Sequence, residues 1–415
     1  MRGTMASKFI TICLALISLI GLANSSVITS VNSQYTYLLP QPFHGNLSLG
    51  FVDTESNSTI NSLLAQARAS PYVSYDDEFS NLVSGPPKLV VDNGPPPFAY
   101  ETGVWLYDHN QIWFTSPVQN SPGSSHITIF DFQTNKLFTP NFTTTIPGLL
   151  PLQNPNGGYY FNGKVYQTLA GSNITGGSVV AIDPVSFSVT EVVNSYFGLP
   201  FSSIDDVTWA KYVNGSGSCN TPGQSHMFFS MVDFSSAFGY SYLPPVLPNS
   251  YWRFTPETGT LRPVIPRDEV YIPNGVAVDS TFTHLFVTDF TQTSLYGGGS
   301  KSIGSTAIYR YDLDSDCMPR NRILFGFPRS GSADGTKVDD QGRVWTAEFE
   351  GVVVRNKEGK VIGVFNKEYF LGSVTPETEI ANFILAGDQL VILALEQIWI
   401  VPLSQVVTSP DRFRS

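Results

Sequence analysis

Four places in the chain put an oxygen-bearing side chain at the start of a short apolar run. They are Glu101 ahead of Val104-Trp105, Asp205-Asp206 ahead of Val207, Asn274 ahead of Gly275-Val276, and Asp334 ahead of Gly335-Thr336. Carboxylate and carboxamide oxygens are hard donors and suit Ca²⁺ or Mg²⁺ far better than a soft metal. The five histidines fall elsewhere, which argues against a histidine-rich zinc site. No Gly-x-Ser-x-Gly elbow sits on a strand-to-helix turn, so a Ser-His-Asp hydrolase is not expected. No motif marks a cysteine nucleophile. Taken singly, Asn-Gly or Asp-Gly is an ordinary hairpin turn. Recurrence at the same point of successive blocks is what suggests one shared site.

Such residues can meet only if the blocks that carry them are arranged around an axis. The blocks are visible in the sequence: Val104 to Ser116 with a strand from His126, Tyr159 with Ser178, Asp205 with His226 and Tyr251, Asn274 with Ala307, Asp334 with Gly351, and Ala381 with Gln397. Each is a set of short strands of period two, broken by Gly, Asp and Asn turns. About six such units predict an all-β chain, a six-bladed β-propeller over residues 86–408, with a metal site in the central channel. A β-sandwich would not explain the return of the same strand-turn-strand pattern. Lys88 to Asp92 (KLVVD) is expected to close the ring with the last blade, since an unpaired edge is a liability. Residues 26–85 read as an extension packed on the propeller, with helical periodicity only over Thr59 to Ala69. The long aromatic segment Phe234 to Ser250, with Phe238, Tyr240 and Tyr242, reads either as a blade insertion or as a lid beside a pocket. Thr291 to Ser305 reads as a Gly/Ser loop.

The stretches Ile272-Pro-Asn-Gly-Val-Ala-Val-Asp279 and Ser332-Ala-Asp-Gly-Thr-Lys-Val-Asp339, each followed by a second apolar strand, resemble the gluconolactonase/regucalcin family. Tyr196 to Val207 (YFGLPFSSIDDV) resembles a signature of its secreted fungal lactonohydrolase branch. The resemblance runs from about Glu101 to Leu403 and implies a six-bladed propeller with one divalent metal, Ca²⁺ first among the candidates. It implies Glu101, Asn274 and Asp334 as the metal ligands. Asp205 maps to a further position beside the metal or substrate, and Asp206, Trp209 and Lys337 are assigned with it to substrate contact. Two departures stand out: the family's Glu-Gly-Pro reads Glu101-Thr-Gly, and its Asn-Asp-Val reads Asp205-Asp-Val.

The compartment is also legible. Arg2 and Lys8 flank the apolar Phe9 to Leu22, and small residues follow at Ala23, Ser25 and Ser26. This reads as a cleavable export signal over residues 1–25 rather than an anchor. Asn46, Asn57, Asn141, Asn173 and Asn214 fit the N-glycosylation pattern. After signal cleavage Cys219 and Cys317 remain, and in a secreted chain such a pair is expected as a disulfide, the alternative being two free thiols. The net charge of −11, with no basic cluster, speaks against nucleic acid or anionic membrane as a partner. The oligomeric state is not legible.

Three functions fit these observations. The first is metal-assisted hydrolysis of a small lactone, with Asp334 or Asp205 activating water. The second is cyclisation of a natural-product precursor on the same scaffold, where orientation in an apolar pocket dominates. The third is non-catalytic binding of Ca²⁺ or a ligand.

Overall fold

Strands whose residues alternate between two apolar neighbours can be buried on both faces, and this chain builds a ring from them. The computed structural model describes residues 27–38, 43–44, 53–54, 57–117, 125–215, 217–234, 244–291, 306–329, 331–372 and 379–408. Blades one to four are antiparallel four-stranded sheets whose inner strands are Glu101–Leu106, Pro155–Phe161, Ile204–Lys211 and Pro273–Val278. Blade five begins with Ala333–Val338 and blade six with Phe383–Leu385. The fourth strand of blade six is Lys88–Asp92, which pairs antiparallel with Gln397–Val407, Ile398 opposite Val91. The ring thus closes with the segment that the sequence singles out.

Every interface between neighbouring blades has its own apolar cluster. Val104, Leu106 and Trp113 of blade one meet Val165, Val180 and Ile182 of blade two. Met227 and Phe229 of blade three face blade two, while Phe228 between them faces blade four. Trp345 of blade five faces blade six, and its neighbour Val344 faces blade four. Period-two alternation therefore splits each second strand between two interfaces. Burying each such side chain is worth about 1.5–3 kcal/mol.

The last Asp of each family-like signature is a turn residue. Asp279 accepts the Thr283 amide at 2.8 Å and lies 2.7 Å from His284 Nδ1, and Asp339 accepts from Arg343 Nε at 2.6 Å and Trp345 Nε1 at 3.0 Å. Both lock the hairpin that joins the first strand of a blade to its second.

The N-terminal part lengthens blade five. Tyr72–Ser74 pairs with Val361–Asn366, and Ile28–Ser30 runs parallel to it, giving six strands. Helix Ser58–Ala69 is capped by Asn57, whose side chain accepts the Ile60 amide at 3.1 Å, and buries Ile60, Leu64 and Ala67. That spacing places all three on one face. A disulfide joins Cys219, between the first two strands of blade three, to Cys317 of blade four. Of the glycosylation candidates, Asn141, Asn173 and Asn214 are exposed, Asn57 is half-buried at its helix cap, and Asn46 lies outside the described residues. Residues 1–25, Phe238, Tyr240, Tyr242 and most of Thr291 to Ser305 also lie outside them. Among the described residues no helix is long and apolar enough to cross a membrane.

Candidate active site

The first strand of five blades carries a bulge at the same place. Two residues oppose one on the second strand: Thr102-Gly103, Asn156-Gly157, Asp205-Asp206, Asn274-Gly275 and Asp334-Gly335. A bulge re-aims a side chain that regular pleating would send into the blade interface. The backbone groups it frees need partners. The opposing residue supplies them in three blades. Thr288 Oγ1 accepts the Gly275 amide at 2.8 Å, Ser230 Oγ accepts the Asp206 amide at 2.9 Å, and Thr168 Oγ1 lies 3.0 Å from the Gly157 carbonyl. Glycine at the second bulge position is steric: a Cβ on Gly275 would collide with the Asp334 carbonyl of the next blade, and one on Gly157 with Asp205 and Asp206.

Four of these bulges place their first residue, Asn156, Asp205, Asn274 and Asp334, on one cleft of ≈ 600 Å³ at the mouth of the channel, and in blade one Glu101 reaches it from just before the bulge. It is lined by Glu101, Asn156, Asp205, Asn274 and Asp334 from five blades, by Glu379 before the first strand of the sixth, and by Tyr100, Pro117, Phe234 and Phe290. The expected ligand set Glu101, Asn274 and Asp334 is thus brought together with Asp205. Sequence reading missed three residues. Asn156 donates through Nδ2 to Asp205 Oδ1, and Asn382 donates through Nδ2 to Glu101 Oε2 at 3.0 Å. Glu379 accepts from Tyr100 Oη at 2.8 Å. Pro155-Asn156-Gly157 repeats Pro273-Asn274-Gly275, so the signal for Asn156 was present. No repeat marks Glu379.

The assignment of Asp206, Trp209 and Lys337 to the same site is corrected. The bulge turns successive residues apart, so Asp205 faces the cleft while Asp206 faces the channel beyond it. Lys337 lines that channel too, with Nζ 5.6 Å from the Phe383 ring centre. Trp209 lines neither cavity. It is buried between blades two and three, stacked on Phe161 at 4.6 Å.

Crowding of acids dominates the electrostatics. Burial, the charge of Asp206 and that of Glu379 push Glu101 up to about 8, against the opposing hydrogen bond from Asn382 and the charge of Lys337. Burial and the Asp206 and Glu101 charges hold Asp205 well above the carboxylate range. Burial and the charges of Glu101, Asp205, Glu379 and Asp206 do the same to Asp334. Burial raises Asp206 to about 6 against Lys337. Among the described residues that line the cleft, none is cationic.

A hard cation fits this donor set. Asp205 Oδ2 and Asn274 Oδ1 are buried and have no hydrogen-bond partner. Such atoms are costly unless something binds them. Asn156 and Asn382 turn their amide nitrogens to the carboxylates of Asp205 and Glu101, and Asn382 Oδ1 accepts the Phe383 amide at 2.9 Å. Among the described residues, no three His, Cys, Asp or Glu side chains group tightly enough to hold a metal alone. A cation here would therefore share carboxylate and carboxamide oxygens: Glu101, Asn274 and Asp334, with Asp205 alongside.

A lactonohydrolase of Aspergillus oryzae is 22% identical over 89% of this chain and 87% of its own length. In sequence the chain is similar to lactonohydrolases and gluconolactonases. A gluconolactonase of Zymomonas mobilis is 24% identical, over 49% of this chain and 52% of that relative. No family model matches. Among solved structures, a gluconolactonase from Xanthomonas campestris superposes with a TM-score of 0.58 at 16% identity, covering 80% of this chain and 95% of that one. A calcium-binding regucalcin from Agrobacterium tumefaciens gives 0.50 at 12% identity, covering 79% and 95%. At these identities the structural likeness speaks for the propeller fold.

Proposed function

We propose that the chain is a lactone hydrolase of the lactonohydrolase type, dependent on a divalent cation, Ca²⁺ before others, held by Glu101, Asn274 and Asp334. The observation that carries this reading is the convergence of buried oxygens from separate blades on one cleft, two of them without any protein partner. The names of the relatives supply the reaction class. A bound cation supplies Lewis-acid polarisation of the ester carbonyl and a field for the developing oxyanion.

The remaining steps belong to the protein. Asp205 Oδ1 is fixed by Asn156 Nδ2, and Oδ2 is left to accept the proton of the attacking water. The water oxygen bonds to the acyl carbon, the ring C–O bond breaks, and the proton passes to the released alkoxide, giving a hydroxy acid. Such a base contributes on the order of 10²-fold or more. Asn382 and Asn156 keep Glu101 and Asp205 oriented. The test is a panel of lactones with and without a chelator. Acid release that vanishes on chelation and returns with Ca²⁺ is expected; an inert protein, or one indifferent to the chelator, sinks the reading.

We further propose that the chain is exported. The N-terminal residues, the Cys219–Cys317 bond and the exposed Asn141, Asn173 and Asn214 support this. Mass spectrometry of protein from a eukaryotic secretion host is expected to find an N-terminus near Ser26 and glycan on these three asparagines. An intact Met1 with unmodified asparagines would refute it.

A further inference from the structure

The floor of the cleft is the ring of oxygens, but its two walls are chemically unlike. On the side of blades three and four stand Phe234 and Phe290, which belong to one apolar cluster with Ala170, Val232 and Ile272. Across the axis, on the side of blades six and one, stand Tyr100 and Glu379. Both are part-exposed, while Phe234 and Phe290 are buried. The Tyr100 hydroxyl occupies one acceptor position of Glu379. A carboxylate has others to offer. Glu379 is not needed for the donor set that fits a cation, and neither the proposed base nor its partner Asn156 touches it.

We infer that this cleft selects a neutral lactone with a hydrogen-bond donor on one ring edge, read by Glu379, and an alkyl or aryl group on the opposite edge, seated on Phe234 and Phe290. The inference rests on the hydrolase reading and names its substrate class. A sugar lactone, with hydroxyls on every edge, would strand donors against the two phenylalanines. A lactone carrying a carboxylate in place of the alkyl group would bring that charge against Phe234 and Phe290, which offer it no donor. Burying an unpaired charge in this way disfavours a ligand strongly.

The test uses the full chain loaded with Ca²⁺ and three synthetic δ-lactones: one with a ring hydroxyl opposite an alkyl group, its deoxy analogue, and an analogue with carboxylate in place of the alkyl group. In wild type, kcat/KM is expected to favour the hydroxyalkyl lactone about tenfold over the deoxy compound. It is expected to favour it on the order of a hundredfold over the carboxylated one. Glu379→Gln should shrink the ratio over the deoxy compound, because an amide is a weaker acceptor. Its calorimetric Ca²⁺ affinity should fall less than that of Asp334→Asn, because the Glu379 charge acts on Glu101 and Asp334 from outside the proposed ligand set. Phe290→Ala should lower kcat/KM for the alkyl compounds and leave the carboxylated one unchanged. An unchanged deoxy ratio in Glu379→Gln, a wild-type preference for the carboxylated lactone, or a Ca²⁺ affinity in Glu379→Gln as low as in Asp334→Asn would each overturn the inference. Turnover with the wrong ratios defeats the inference alone. Absence of turnover on these and a wider set of lactones defeats the hydrolase reading and the inference with it.

Discussion

Asp334→Asn is expected to remove turnover while leaving the propeller intact. The side chain is buried at the bulge of blade five and faces the charges of Glu101, Asp205 and Glu379. Asparagine keeps its shape, and the neighbouring Gly335 amide still bonds to the Ala381 carbonyl at 3.0 Å. What is lost is a full charge at the proposed cation site. We expect kcat/KM on any competent lactone to fall by roughly 10³-fold or more. Cation affinity should fall with it. Stability should move the other way: the chelated variant should melt above chelated wild type near pH 8, because one of several repelling carboxylates is gone. Calorimetry with Ca²⁺ and melting curves with chelator separate these effects. A variant that hydrolyses at the wild-type rate would exclude Asp334 from the chemistry. One that unfolds would assign it a structural role instead.

The second large effect is in pH. In the cation-free protein the folded state holds Glu101 near 8, far above its ordinary value, with Asp205 and Asp334 also displaced upward. Between the unfolded and folded pKa values the native state therefore binds more protons than the unfolded one. Its stability is greatest below the unfolded carboxylate range and declines as pH rises toward 8. Glu101 alone accounts for several kcal/mol over that span. A saturating divalent cation holds these groups ionised, so the loaded protein should keep its stability near pH 8 and lose its advantage as acid protonates the carboxylates. Thermal melts near pH 5 and near pH 8, with chelator and with Ca²⁺, would show the two curves diverging upward in pH. Equal chelated stability at both pH values would mean the acids are not pressed together as the structure has them.

The propeller was legible in the sequence because its signal is local and repeated. Strand-turn-strand blocks recur, and the closing strand Lys88–Asp92 announces itself as an alternating segment outside the repeats. The ring of oxygens was only partly legible. Asn274 and Asp334 stand before a glycine that the next blade makes obligatory, so the pair of residues carries the signature. Asn156 has the same frame but sits ahead of Gly157-Gly158, and its strand was read from Tyr159. Asp206 and Trp209 show why proximity in sequence misleads. One bulge sends Asp205 and Asp206 to different cavities, and strand alternation then buries Trp209 against Phe161. Glu379 reaches the cleft from a segment with no repeat, so only the packed ring reveals it.

The closing strand has a further consequence, for synthesis rather than for catalysis. The segment Lys88–Asp92 leaves the ribosome before any complete blade, yet its partner Gln397–Val407 is made only after the first five blades. Throughout elongation the nascent polymer carries an unsatisfied sheet edge that nothing downstream has yet been translated to cover. A premature stop codon before Gln397 is therefore expected to yield a gapped ring with Lys88–Asp92 unpaired, rather than a shortened propeller.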